Sequence, residues 1–175
     1  MRRFEPDRAE LLVFTYKAGL LSSIAHDLRI RVTRFWIEAD SEAPSVRAEM
    51  DADSLHVETA MRNGRAHSGL DEKDKREIEG NIRNDVLDTR RHPKIRFTST
   101  RVERIGDGWR VEGDLELGGA TRPIRLRAAA EGDLLVIEHT LHQPDWGIRP
   151  YRAALGTLRV QADVKVRVSL RRSAL

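Results

Sequence analysis

The stretch Leu158-Arg159-Val160-Gln161-Ala162-Asp163-Val164-Lys165-Val166-Arg167-Val168-Ser169-Leu170 alternates apolar and polar residues from end to end. Successive side chains of a β-strand point to opposite faces, so this run reads as one long strand with an apolar side and a wet side. At about 3.3 Å per residue it would extend on the order of 40 Å. What the apolar side faces decides the protein's role: a filled core, or something that the protein carries.

Upstream of this stretch the same alternation recurs. Residues 9–19 offer a first strand ending at Gly19, and Leu20 to Asp27 read as a turn of helix or a bulged connection. Residues 27–40 alternate through Leu28, Ile30 and Val32, then slip phase at Phe35-Trp36-Ile37, which predicts a bulge. Val46, Ala48, Met50 and Ala52 share the next strand face, and Ile95 and Phe97 begin another. Gly106-Asp107-Gly108 is a hairpin signal, followed by Trp109, Val111, Leu115 and Leu117 in phase around Gly113. The segment 69–88 breaks the pattern. Ile78, Ile82 and Val86 are four apart among charges, the spacing of an amphipathic helix over about 71–85. Strands joined by short turns argue for antiparallel meanders. The expected fold is all-β: an antiparallel barrel of about eight strands, one domain over residues 1–175, with the helix packed at the mouth or side.

Composition narrows the function. Cysteine is absent, which excludes disulfides and thiolate chemistry. The net charge is +3, and five of the 31 basic residues are lysine, leaving 26 arginines. Arg29, Arg31, Arg96, Arg125, Arg127, Arg159 and Arg167 alternate with apolar residues, so they read as a solvated outer face, with an anionic-surface role as the alternative. With nine aromatics and no basic-aromatic platform, nucleic-acid binding is not expected. The apolar run Leu11–Phe14 is too short for a signal peptide. A cytoplasmic protein is therefore expected, or a periplasmic one if an export signal has been removed.

Catalytic and metal signatures are missing. His139 and His142 are three apart on a predicted strand and so face opposite sides, and His26, His56, His67 and His92 lie in separate segments. No nucleophile elbow, phosphate loop or dinucleotide fingerprint occurs. The carboxylates Asp71, Glu72, Asp74, Glu77 and Glu79 read as the wet side of the helix. No catalytic residue, metal ligand or cofactor is expected, and the protein is read as a non-enzyme.

Several spacings together resemble the YceI-like family, the bacterial polyisoprenoid-binding proteins. Leu87-Asp88, His92-Pro93, Ile95, Phe97 and Ser99 fit its pattern F-D-x-x-x-Y-P-x-I-x-F-x-S; Val111, Gly113-Asp114-Leu115, Gly119, Thr121 and Ile124 fit V-x-G-D-L-x-x-x-G-x-T-x-x-V. Residues 50–64 are similar to a segment that precedes the family's helix, and Asp145-Trp146-Gly147 to its D-F-G loop. Lys17-Ala18 stand where a histidine is common, Val86-Leu87 where two phenylalanines are, and Gln143 where an arginine is. The resemblance implies a lipocalin-like barrel holding a long isoprenoid lipid such as a quinone tail.

Residue sizes bear on whether such a barrel has room. Ala48, Ala52, Ala128, Ala130 and Ala162 fall in inward phases, while Phe14, Trp36, Phe97, Trp109 and Trp146 could fill the space. Eight strands enclose either a filled interior or one ligand. The lining expected for a lipid tail is Phe14, Leu28, Ile30, Met50, Phe97, Trp109, Leu126, Val164 and Val166, with Ile78 and Ile82 near the mouth. The expected partners are a long-chain isoprenoid lipid and, transiently, an anionic membrane surface; a homodimer is compatible with this reading. A ligand-free barrel acting as a structural or stress-related interaction module is the alternative.

Overall fold

The computed structural model describes residues 1–18, 26–153 and 158–171. Seven strands precede the helix: β1 (Arg2–Phe4), β2 (Ala9–Thr15), β3 (Asp27–Val32), β4 (Phe35–Asp40), β5 (Ser45–Asp51), β6 (Leu55–Arg62) and β7 (Arg65–His67). After helix α1 (Glu72–Asn81) come β8 (Lys94–Ile105), β9 (Gly108–Leu117), β10 (Ala120–Glu131), β11 (Leu134–His142), β12 (Arg152–Ala153), β13 (Leu158–Arg159) and β14 (Asp163–Arg171). Twelve strands form one sheet in the order β1-β4-β5-β8-β9-β10-β11-β14-β2-β3-β6-β7, and β12 pairs with β13 separately. Every ladder among the described residues is antiparallel.

The sheet thus holds twelve strands where alternation predicts about eight, and its order is open, from β1 to β7. The alternating stretch 27–40 divides into β3 and β4, and the next one into β5 and β6. β1 and β7 add edges of three residues each, too short to show a period. The division between β3 and β4 lies at the phase slip. Leu28, Ile30 and Val32 are buried, Thr33 and Arg34 intervene, and burial resumes with Phe35 and Ile37.

Ser54, only 4% exposed, ties this corner together. Its backbone carbonyl accepts from Thr33 N at 2.9 Å, and its hydroxyl accepts from Arg34 N at 3.2 Å and lies 2.8 Å from the Asp51 carbonyl. Asp51 N in turn donates to the Arg34 carbonyl at 3.0 Å. Further along, an irregularity between Arg29 and Ile30 leaves Glu58 opposite no residue. Burial pushes the Glu58 carboxyl up, but hydrogen bonds and charge from Arg31 and Arg29 outweigh it and hold it below the usual carboxylate range.

The helix is where the sequence places it. Asp71 caps it, accepting from Lys73 N and Asp74 N at 2.8 Å, and Asp74 returns a bond to Asp71 N. It continues into a π-turn over Ile82–Val86, in which Leu87 N donates to the Ile82 carbonyl at 2.9 Å. Ile78 and Ile82 pack on a small cluster of Leu28, Ile30 and Val57, while Val86 and Leu87 join the main core. Glu79 fastens the helix to β6, accepting from Val57 N at 2.8 Å and sitting 2.9 Å from His56 Nδ1.

The stretch 158–170 is not one strand. β13 and β14 are separated at Gln161-Ala162, whose carbonyls accept from the Gln143 side-chain amide at 3.1 and 3.3 Å. Gln161 N donates to the Tyr16 carbonyl at 2.8 Å, so the backbone polarity here is spent on crossing between sheets. The continuous strand is β14, nine residues and roughly 30 Å. The connection 20–27, read from sequence as a helical turn or bulge, lies largely outside the described residues, as does Gly19.

Gly113 holds a packing position that sequence placed in mid-strand. A Cβ there would strike the Thr98 carbonyl oxygen and lie 2.6 and 2.8 Å from Phe97 ring carbons. Gly113→Ala is expected to cost about 1–3 kcal/mol of unfolding free energy through overpacking, measured by urea denaturation; a loss below about 0.5 kcal/mol would show that the Phe97 ring can move aside.

Candidate functional site

The curled sheet surrounds an apolar hollow of about 500 Å³. Its wall is built in cross-strand rows. Trp109, Ala128, Ile137, Val168 and Leu11 are successive register partners across β9, β10, β11, β14 and β2, and all line the hollow. Ile37, Ala48, Phe97 and Leu115 form a second row across β4, β5, β8 and β9. His139, Val166, Val13 and Ile30 form a third across β11, β14, β2 and β3. In two of these rows an alanine stands between large residues, and the space it leaves opens the interior. Along β11 the lining runs from Leu135 to Gln143, roughly 27 Å of wall.

Eight of the residues singled out from sequence line this hollow: Ile30, Met50, Ile82, Phe97, Trp109, Leu126, Val164 and Val166. Three do not. Phe14 points to the other face of β2 from Val13, into a shallow surface depression with Leu28 and Met61. Leu11 to Phe14 are all apolar, so the inward phase of β2 could not be chosen from sequence. Leu28 lies in the small cluster beneath the helix, and Ile78 packs there with it. Among the alanines, Ala48 and Ala128 line the hollow, whereas Ala52, Ala130 and Ala162 do not. Of the expected space-fillers, Phe97 and Trp109 line it. Trp36 lies outside under the Arg3 guanidinium, and Trp146 is buried with its indole N–H donating to the Leu115 carbonyl at 3.3 Å.

The outer face carries the charge. Arg34 reaches Asp51 at 2.9 Å, Arg96 reaches Glu49 at 3.0 Å, and Arg167 bridges Glu131 and Glu138 at 2.9 Å each. The arginine alternation is thus matched by carboxylates on neighbouring strands, in exposed pairs that each contribute little to stability. Among the described residues no three His, Asp or Glu side chains are grouped to hold a metal ion, and no helix is long and apolar enough to cross a membrane.

Polar groups reach the hollow in two places. Arg2, Asp40, Ser41, Glu42 and Ser45 rim one end, at the turn between β4 and β5. Thr15, His139 and Gln143 lie in the other half. From the sequence His139 reads as neither a metal ligand nor a catalytic residue. His142, on the opposite face, pairs with Asp163 at 2.6 Å, but the His139 imidazole has no hydrogen-bond partner among the described residues. No fully buried side-chain nitrogen or oxygen among them lacks a partner, so the unpartnered imidazole nitrogens are accessible, on a residue that lines the hollow.

Burial lowers the His139 pKa from its ordinary value near 6.5. Its contribution to stability is intact above that value and is lost as pH falls through the lower folded value, because the unfolded chain takes up the proton first. Between pH 7 and pH 5 the parent is expected to lose more thermal stability than His139→Leu; equal losses would mean that the imidazole is solvated as in water.

The fold and the sequence agree with one set of known proteins. A sequence model of the YceI-like domain matches residues 10–171. Protein YceI of Escherichia coli is 44% identical over 48 residues, 27% of this chain and 25% of that protein. The UPF0312 protein plu2095 of Photorhabdus laumondii is 41% identical over 49 residues, 28% of this chain and 26% of that protein. These matched stretches span about a quarter of the curated relatives' length. BcnA of Burkholderia cenocepacia superposes with a TM-score of 0.62 at 13% identity, over 93% of this chain and 94% of that one. The Campylobacter jejuni YCEI protein does so with a TM-score of 0.50 at 13% identity, over 76% of each. With the domain matched across nearly its whole length, the chain belongs to the YceI-like family.

Proposed function

We propose that this protein is a non-catalytic carrier that holds a long apolar lipid, a polyisoprenoid or isoprenoid quinone, inside its curled sheet. The observation that carries this reading is the elongated hollow of about 500 Å³ with its almost wholly apolar wall. At about 24 cal/mol per Å³, a dry void of that volume would cost on the order of 12 kcal/mol. That is comparable with the whole stability of an ordinary domain, about 5–15 kcal/mol, so the space holds water or a guest, and its apolar wall favours an apolar guest. The size of the hollow also weighs against a ligand-free interaction module. The family's description as polyisoprenoid-binding proteins supports the same guest.

The sheet topology fits a container. If 27–40 and 45–62 are each counted as a single bent strand, the ladders run β2, 27–40, 45–62, β8, β9, β10, β11, β14 and back to β2. So counted, the ring would have eight staves, the number whose interior suits one small guest. Each buried methylene would contribute about 0.8 kcal/mol, so a dozen carbons supply on the order of 10 kcal/mol before the costs of association. Loading would take place at an anionic membrane surface, favoured by the outer arginines and weakened by salt.

Organic extraction of the purified protein followed by mass spectrometry is expected to recover an isoprenoid lipid. Ala128, 2% exposed between Trp109 and Ile137, gives the matching variant. Ala128→Phe should weaken quinone binding at least tenfold. Val164→Phe provides a second block should the first prove unstable. If both variants fold and bind as the parent does, or the parent binds no isoprenoid, the carrier reading is wrong.

A further inference from the structure

We infer that Thr15, His139 and Gln143 form an internal seat for the head of the guest, and that the head is uncharged and hydrogen-bonding, a hydroxyl or carbonyl group and not a phosphate or carboxylate. This rests on the carrier reading and specifies the chemical class of lipid. Three observations place the seat. His139 faces inward in the row His139, Val166, Val13, Ile30, and its imidazole makes no hydrogen bond to the described residues. Gln143 is 8% exposed, and its amide nitrogen is fixed by the Gln161 and Ala162 carbonyls at 3.1 and 3.3 Å, which leaves its Oε1 as a held acceptor. Thr15 adds a hydroxyl to the lining from β2, two strands away from β11.

The described lining around the seat disfavours an anion. The charged side chains among the lining residues, Arg2, Asp40 and Glu42, rim the opposite end of the hollow. Around His139 the neighbouring lining is Ile137, Leu141 and Val166, all apolar. A phosphate or carboxylate placed there would lose its hydration and gain no cation from the described lining, which is unfavourable. A carbonyl or hydroxyl instead meets a neutral imidazole that can donate from one nitrogen and accept at the other, with an amide oxygen and a hydroxyl in the same half of the hollow. The burial that lowers the His139 pKa keeps that ring neutral at neutral pH. The tail then lies toward the opposite end, past Ala128, Phe97 and Leu135.

The test compares three probes of one chain length, delivered in detergent micelles and followed by tryptophan fluorescence: a polyprenol, its monophosphate, and the polyisoprene hydrocarbon lacking a head. The polyprenol is expected to bind at least tenfold more tightly than the monophosphate. His139→Leu should weaken polyprenol binding about tenfold, the worth of one hydrogen bond lost in an apolar site, and leave hydrocarbon binding unchanged or tighter. Thr15→Val should act in the same direction more weakly, and His139→Gln should restore part of the loss. Monophosphate binding as tight as polyprenol binding would overturn the inference, as would equal effects of His139→Leu on polyprenol and hydrocarbon. If none of the three probes binds, hydrocarbon included, the carrier reading fails and this inference with it.

Discussion

The corner held by Ser54 is the constraint from which the rest of the architecture follows. An alternating strand that stayed straight would carry its apolar side away from its neighbours' apolar sides as the sheet twisted. Here two residues, Thr33 and Arg34, are spent between β3 and β4, and three between β5 and β6. The backbone groups released by that break are taken up by the carbonyl and hydroxyl of Ser54 and by the exchange between Arg34 and Asp51. Both halves of each stretch therefore keep their apolar side inward while their direction changes. Leu28, Ile30 and Val32 before the corner and Phe35 and Ile37 after it are all buried.

Given that bend, residue size settles whether the interior is solid or hollow. Cross-strand neighbours on one face sit about 5 Å apart, close enough for a row of large side chains to fill the middle of a small barrel. Ala48 between Ile37 and Phe97, and Ala128 between Trp109 and Ile137, interrupt such rows. Gly113 works in the opposite sense. It lets the Phe97 ring lie against the β9 backbone, away from the centre. The Phe97 ring is thus held against the wall.

Much of this was legible in the alternation. The apolar phases of β9 and β14, the slip at Phe35, and the stripe Ile78, Ile82, Val86 depend on local periods that the chain obeys closely. The misses share a different cause. The phase of Phe14 is not readable, because Leu11 to Phe14 are apolar on both faces, and Leu12 is buried on the outer one between Arg31 and Arg167. The run 158–170 kept its alternation through Gln161 and Ala162, yet the strand breaks there because Gln143 captures their carbonyls. A hydrogen bond between residues eighteen or nineteen apart leaves no mark on a period of two. Leu28 and Ile78 are apolar and inward in phase, but the helix draws them into a separate cluster.

His139 shows the same limit from the side of function. In the sequence it is one of six histidines, and its spacing from His142 speaks only against a shared metal. Its significance comes from what surrounds it. It interrupts the inward sequence Leu135, Ile137, His139, Leu141 on β11 with a group that neither ion-pairs nor hydrogen-bonds to the described residues. A hydrocarbon guest alone would be served better by leucine at that place, since an unpaired imidazole facing an apolar chain sacrifices hydration for nothing. The penalty is recovered only when something in the hollow hydrogen-bonds to it, so the imidazole favours a guest with a polar, neutral head over one that is hydrocarbon throughout.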